Sequence, residues 1–275
     1  GGNLTGFSIV NYFSRNLDNI LIGQYWGPQQ LGLYAQAYKL LLLPINQINT
    51  PITSVALPAL SSLQSEPEKY RRYYYKAILL ITTIGMPIVG FMFASADKVI
   101  LLMLGKQWLD AVPIFQLLMP AAFIGTFNVS TGWVYASLGR TDRQFRMGII
   151  LATIDVVIFL ISIRWGAIGV AAAYGLSRPV LWVPRIIYCY IGTPLKIQVF
   201  ANTLYKPTFA SIGAAFILIG INQLSLISIN LIIGLFLDCL LYSLLYIGIW
   251  SILPNGRYTL LELLQVFKEF RQKKS

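Results

Sequence analysis

The feature that most constrains the fold is a series of long apolar stretches that follow one another along most of the chain. Several exceed the ~18 residues that mark a transmembrane candidate, and a helix of about 20 such residues crosses the hydrocarbon core of a bilayer. Charged residues make up 11% of the sequence, less than half of the roughly 25% that is usual in soluble domains. The sequence therefore predicts an all-α polytopic membrane protein.

The breaks between the apolar stretches predict about eight transmembrane helices. We place them at residues 4–25, 32–63, 74–94, 109–138, 146–164, 167–190, 207–223 and 228–253. This pattern divides the chain into a six-helix bundle (1–190), a cytoplasmic link (191–206), a terminal helix pair (207–253) and a basic amphipathic tail (254–275). The tail either rests on an anionic leaflet or is a solvated segment.

The positions of the basic residues predict the orientation of the helices. Most of the 21 Lys and Arg residues fall in the breaks after the second, fourth and sixth helices and in the tail, whereas the opposite side holds only Lys98, Lys106 and Arg164. Because cytoplasmic loops of membrane proteins are enriched in Lys and Arg, both ends of the chain are expected in the cytoplasm. The net charge of +11 is then a sign of membrane topology, and no nucleic-acid partner is expected.

Polar and charged residues recur on one face of each of the first two predicted helices, at spacings of three, four and seven residues. They are Asn11, Arg15, Asp18 and Asn19 on the first helix, and Lys39, Asn46 and Asn49 on the second. A charged side chain at the bilayer centre costs about 2.5–3.5 kcal/mol on insertion scales, so such residues face a protein interior or a water-filled cavity. We expect the two polar faces to form one wall of a hydrated cavity.

Sequence alone leaves two interpretations open for Arg15 and for Arg178, and favours one for Lys39. Arg15 and Asp18 either form an ion pair that only helps the helices to pack, or line the cavity as functional groups. Lys39 has no acidic residue within one turn of its own helix, which favours a functional cation. Arg178, which precedes Pro179, either binds an anion or extends toward the membrane interface.

Two acidic residues lie in apolar helices farther along the chain, Asp155 and Asp238. Either could bind a coupling proton or sodium ion, or could neutralise one of the cations above. The sixth helix carries small residues that permit close approach of a neighbouring helix, among them Gly166, Gly169 and Gly175.

The sequence contains no recognisable catalytic arrangement. It has no histidine, which is the commonest general base and a frequent metal ligand. Cys189 and Cys239 have no metal-type spacing. We therefore expect no enzyme activity, no metal site and no cofactor, although a membrane transferase acting on a polyprenyl carrier stays open as an alternative.

Five stretches in order resemble the C-terminal half of Wzx-type polysaccharide flippases, members of the multidrug/oligosaccharidyl-lipid/polysaccharide exporter superfamily. The resemblance covers most of residues 3–190, while the last two helices match only in position and hydrophobicity. The stretches are NYFSRNLDNILIGQYWGPQQLGLYAQAYKLLLLPINQI (11–48), LPALSSLQSEPEKYRRYYYKA (57–77), GKQWLDAVPIFQLL (105–118), ASLGRTDRQFRMG (136–148) and GAIGVAAAYGLSR (166–178).

The resemblance implies that the chain is the second helix bundle and terminal helix pair of a longer transporter, with an N-terminal half preceding it. Such transporters move undecaprenyl-diphosphate-linked oligosaccharides across the bacterial inner membrane by alternating access. Their products include lipopolysaccharide, capsule and exopolysaccharide. The implied partners are that lipid-linked oligosaccharide, membrane lipid, and polysaccharide polymerase or export proteins. By position, the resemblance puts Arg15 and Lys39 on helices that line a cationic central cavity, and Arg178 more weakly so.

Two rival functions stay open at the level of sequence. A drug or ion antiporter of the same superfamily, of the MATE type, would favour an acidic, aromatic cavity for cationic substrates. A membrane scaffold of a polysaccharide-synthesis complex would use the polar faces only to hold helices together.

Overall fold

The computed structural model describes residues 2–224 and 230–259, with side chains from residue 16 onward. The described residues form helices and short connections, with no strand among them. The α-helices are α1 (Gly2–Ser62), α2 (Pro67–Ala94), α3 (Ala96–Met103), α4 (Val112–Ser137), α5 (Thr141–Ser162), α6 (Gly166–Tyr190), α7 (Ile197–Leu224) and α8 (Leu231–Ile252). Short 3-10 helices at Lys106–Ala111 and Ile163–Trp165 precede α4 and α6. The predicted all-α class is confirmed.

Two of the long helical segments are interrupted, and both interruptions are at glycine. In α1, Gly27 has φ 81° and ψ 177°, a conformation that a residue with a Cβ rarely adopts. It divides α1 into a first arm (2–26) and a second arm (28–62). Gly166, with φ 67°, likewise separates α5 and its 3-10 turn from α6. Six segments of the described chain are long and apolar enough to cross a membrane, and with these two interruptions they correspond to the eight predicted helices.

Three helices begin at least five residues earlier than hydropathy predicts, among them α5, which begins at Thr141 rather than residue 146. α2 begins at Pro67 rather than residue 74, and α7 begins at Ile197 rather than residue 207, so much of the predicted link is helical. The added turns contain charged or polar residues, which lower the local hydropathy, so each helix is longer than the apolar stretch that predicts it. Residues 260–275 of the predicted tail lie outside the described residues.

The bundle is formed by α1, α2, α4, α5 and α6, with α4 packed against both α6 and α1. The predicted close approach through small residues occurs at Gly175. A Cβ atom there would lie 1.9 Å from the backbone oxygen of Leu117 on α4, which no side chain can tolerate. The packing role predicted for this residue is confirmed.

Tyrosine hydroxyls join the bundle helices near the start of α2. The Tyr70 hydroxyl lies 2.8 Å from Ser137 Oγ on α4, and Tyr74 donates to Ser130 Oγ at 3.1 Å. Tyr190 on α6 donates to the Tyr74 hydroxyl at 3.1 Å. These groups are buried, so their hydrogen bonds satisfy polar atoms that neither lipid nor water reaches.

The terminal helices α7 and α8 pack on each other and on α2. Tyr242 of α8 donates to the Ser211 carbonyl of α7 at 3.1 Å, and Tyr246 donates to the Thr83 carbonyl of α2 at 3.1 Å. A Cβ at Gly90 of α2 would lie 2.3 Å from the Tyr242 hydroxyl oxygen. The terminal pair is thus held against the bundle by close packing and by hydrogen bonds to backbone carbonyls.

Candidate functional site

An open cavity of about 300 Å³ lies along α1, on both sides of the Gly27 break. Among the described residues, Asn19 lines it from the first arm, and the polar residues Tyr38, Lys39 and Asn46 line it from the second arm. The remaining lining residues are apolar: Ala35, Leu42 and Leu43. Three of the residues predicted from the two polar faces therefore line one cavity, in a wall that is part polar and part aliphatic.

Lys39 is the charged residue among those described in this cavity wall. Its side chain is exposed, and within the described part of the chain no residue hydrogen-bonds or ion-pairs with its ammonium group. An ammonium group at membrane depth requires water or an anion around it. Among the described residues, Lys39 therefore supplies a cationic point charge to this cavity.

Asp18 is buried and connects the two arms of α1. Its Oδ2 accepts a hydrogen bond from the Tyr34 hydroxyl at 2.8 Å, and its Oδ1 accepts one from the Asn19 backbone N–H at 2.8 Å. The side chains of Asn11 and Arg15 lie outside the described residues, so the predicted pairing of Arg15 with Asp18 stays a prediction. The Tyr34 contact gives Asp18 a structural role across the break in the helix.

Asn49 lies farther along the second arm and is turned toward α4. Its Nδ2 donates to the Gly125 carbonyl at 3.2 Å, and it does not contribute to the cavity lining. Asn46 and Asn49 thus face different surroundings, although both belong to the polar face read from the sequence.

Arg178 on α6 and Asp155 on α5 form an ion pair. Arg178 Nη2 donates to Asp155 Oδ1 at 2.7 Å, and the guanidinium carbon lies 4.1 Å from the centre of the Tyr174 ring. In this structure each charge neutralises the other, which was one of the alternatives raised for Asp155. The roles predicted for them in anion binding and ion coupling stay predictions.

Asp238 lies where the terminal pair meets the bundle. Its Oδ2 accepts hydrogen bonds from Lys98 Nζ at 2.6 Å, from Asn222 Nδ2 at 3.2 Å and from Ser95 Oγ at 3.4 Å. None of these residues lines the cavity. The contacts tie α8 to α3, to α7 and to Ser95 between α2 and α3, and ion coupling by Asp238 stays a prediction.

Tyrosines around the cavity were not singled out from the sequence. Tyr38 lines the cavity, and its hydroxyl lies 3.3 Å from that of Tyr174 on α6. Tyr34 and Tyr38 are four residues apart and so share a helix face, with their rings stacked at a centroid distance of 6.1 Å. This four-residue spacing, which ends at the residue before Lys39, is the signal from which these tyrosines could have been identified.

Comparison with known proteins agrees with the helical architecture and shows which proteins the chain is similar to. The family model described as "Polysaccharide biosynthesis protein" matches residues 1–113. The chain is 26% identical over 179 residues to the lipopolysaccharide biosynthesis protein WzxC of Escherichia coli K12, covering 65% of this chain and 36% of that protein. It is 24% identical over 216 residues to the teichuronic acid biosynthesis protein TuaB of Bacillus subtilis 168, covering 78% of this chain and 44% of that protein.

A solved structure, the lipid II flippase MurJ in an inward closed conformation, has the same fold. It superposes with a TM-score of 0.69 over 89% of this chain and 51% of that protein, at 16% sequence identity. The chain thus shares the polytopic helical fold of that protein. The predicted resemblance to the Wzx-type polysaccharide flippases is confirmed. The chain spans less than half the length of these two curated relatives.

Proposed function

We propose that the complete gene product containing this chain moves an undecaprenyl-diphosphate-linked oligosaccharide across the bacterial inner membrane, for synthesis of a surface polysaccharide. The relatives support this substrate class, since they are described as lipopolysaccharide and teichuronic acid biosynthesis proteins. Another relative is described as a succinoglycan biosynthesis transport protein, from Rhizobium meliloti 1021. We accordingly expect transport and not catalysis.

The observation that carries the proposal is Lys39 in its open cavity. A diphosphate headgroup needs a cation and water around it, while its prenyl chain can stay in lipid. Lysine offers a flexible point charge suited to phosphate oxygens. Arg15 joins Lys39 in the proposal because the resemblance puts both on cavity-lining helices, whereas Arg178 would reach a headgroup only by leaving Asp155, 2.7 Å away.

The rival transport function, export of cationic drugs, requires an acidic cavity. The carboxylate nearest in sequence to the cavity lining, Asp18, is buried and bonded to Tyr34, while Lys39 is exposed in the cavity. The sign of the exposed charge therefore favours an anionic substrate. A scaffold function would leave no reason for a lysine to face an open cavity rather than a partner helix.

For orientation, we propose that the α4–α5 connection and the start of α7 face the cytoplasm. Arg140 and Arg143 lie in or beside that connection and donate hydrogen bonds to the Ile191 carbonyl at the end of α6, at 2.7 and 2.8 Å. Basic residues thus gather at this end of the bundle, as the positive-inside rule requires of a cytoplasmic face. Both chain ends would share that side.

The test is translocation of a fluorescent undecaprenyl-diphosphate oligosaccharide in vesicles that contain the complete gene product. We expect Lys39→Ala and Arg15→Ala to reduce the rate about tenfold or more, as loss of a charge-assisted contact would. Lys69→Ala is the matched control, because Lys69 is an exposed lysine paired with Glu66 at the start of α2. Wild-type rates in both cavity variants would exclude the cation site, and uptake of a cationic dye in place of the lipid would favour the drug exporter.

A further inference from the structure

We infer that Tyr38 and Tyr174 are positioning residues that hold Lys39 at the substrate headgroup; this inference rests on the proposed function. Tyr38 precedes Lys39 in the chain and lines the same cavity. Its hydroxyl, 3.3 Å from that of Tyr174, links the cavity wall to α6. The substrate-facing lysine and the link to α6 are thus on adjacent residues.

The second arm of α1 needs such a link because Gly27 breaks the helix just before it. With φ at 81°, the backbone hydrogen bonds that would align the two arms are interrupted. Side chains must then fix the angle between the arms. Tyr34 does so on one side, since its fully buried hydroxyl donates to Asp18 of the first arm. Tyr38, one turn later on the same face, anchors the second arm to α6.

Tyr174 is itself held from two directions. The Arg178 guanidinium carbon lies 4.1 Å from the centre of its ring, and Asp155 fixes that guanidinium through the 2.7 Å ion pair. On the side of α5, Phe159 stacks with Tyr174 at a centroid distance of 6.2 Å and an interplanar angle of 14°. These contacts therefore hold the Tyr174 side chain, the partner of Tyr38, in one position.

This arrangement gives the Asp155–Arg178 pair a place in the same chain of contacts. From the ion pair, the contacts run through the Tyr174 ring and the two hydroxyls to Tyr38, beside Lys39. Because the lysine stem is flexible, a small shift of the helix weakens headgroup contact without abolishing it. The expected effect of losing the hydroxyl link is accordingly modest.

The experiment measures the dissociation constant of undecaprenyl diphosphate for the complete gene product in detergent. The variants are Tyr174→Phe, Tyr38→Phe, Lys39→Ala and the double variant Tyr174→Phe/Lys39→Ala. Phenylalanine keeps the rings and their stacking, and removes only the hydroxyl link. Tyr70→Phe is the matched control, since it breaks a buried tyrosine hydroxyl contact of 2.8 Å to Ser137 that does not involve the cavity.

We expect Tyr174→Phe and Tyr38→Phe each to weaken binding about threefold, the effect of losing one average hydrogen bond inside a membrane protein, and Tyr70→Phe to have no effect. In the Lys39→Ala background, Tyr174→Phe should cause no further weakening, because there is no ammonium group left to position. A purely structural role would give the same loss in both backgrounds, and that additive result would overturn the inference.

The two proposals fail in different ways. If Lys39→Ala itself leaves binding unchanged, the cation site of the proposed function is wrong. If Lys39→Ala weakens binding but both Tyr→Phe variants bind like wild type, the cation site stands and the positioning role is refuted. If either tyrosine variant is poorly folded, its melting temperature reveals this and the other tyrosine variant decides the question.

Discussion

Replacing Arg178 by glutamine should destabilise the protein by leaving Asp155 without its counter-ion. The two side chains are 21% and 18% exposed, with 2.7 Å between Nη2 and Oδ1. At that distance, with an effective dielectric constant of about 20, Coulomb attraction amounts to about 6 kcal/mol. Desolvating the two ions opposes it by several kcal/mol for each ion, so the intact pair is close to neutral in net free energy.

Removing one member has a different result, because the desolvation of the other is no longer offset. The usual loss is about 3–5 kcal/mol, and the partial exposure of Asp155 favours the lower end. At about 2–4 °C per kcal/mol for a chain of this size, Arg178→Gln should lower the melting temperature by about 10 °C. The double variant Arg178→Gln/Asp155→Asn, with neither charge present, should recover most of that loss.

The assay is thermal unfolding of the purified protein in detergent, followed by a thiol-reactive dye or by loss of monodispersity. Arg178→Lys is a useful third variant, since it keeps the charge but loses the planar contact with Tyr174. If Arg178→Gln melts within about 2 °C of wild type, or if the double variant melts no higher than the single one, Arg178 is not the internal counter-ion that the geometry indicates. Arg178 would then be a better candidate for direct anion binding.

Two further predictions concern helix packing. Gly175→Ala places a Cβ 1.9 Å from the Leu117 backbone oxygen and should lower the free energy of unfolding by about 3 kcal/mol or more, because it forces α4 and α6 apart. The control Gly132→Ala, whose Cβ would meet no atom within 4 Å, should melt like wild type. Equal melting temperatures of the two variants would show that the close approach is absent. Asp238→Asn should loosen the terminal pair by weakening its 2.6 Å contact with Lys98 of α3, broadening spin-label distances between α3 and α8. The exchange Lys98→Asp/Asp238→Lys should narrow them again, and unchanged distances in Asp238→Asn would contradict this docking role.

The helical architecture could be predicted from the sequence because its signals are local. A continuous apolar stretch predicts a membrane helix, and polar residues three, four and seven positions apart predict a polar face on it. Asn19, Lys39 and Asn46 were identified in this way, and they share one cavity. The early starts of α2, α5 and α7 were missed because charged and polar residues in their first turns lower the hydropathy from which the helices are predicted.

The partners of the charged residues could not be predicted, because they come from other helices. Asp155 lies 23 positions from Arg178, and Asp238 lies 140 positions from Lys98. Periodicity within one helix says nothing about which face of a neighbour it meets. The same holds for the hydroxyl contact between Tyr38 and Tyr174, 136 positions apart, which depends on how α6 packs beside the second arm of α1.

The central claim, that a cation in the α1 cavity meets an anionic headgroup, is tested most directly by a charge series at position 39. The measurement is the rate at which vesicles containing the complete gene product translocate fluorescent undecaprenyl-diphosphate oligosaccharide. Lys39→Arg should keep most of the rate, Lys39→Gln should lose about tenfold, and Lys39→Glu should lose more, in the order of charge. Equal rates for the arginine, glutamine and glutamate variants would contradict the claim.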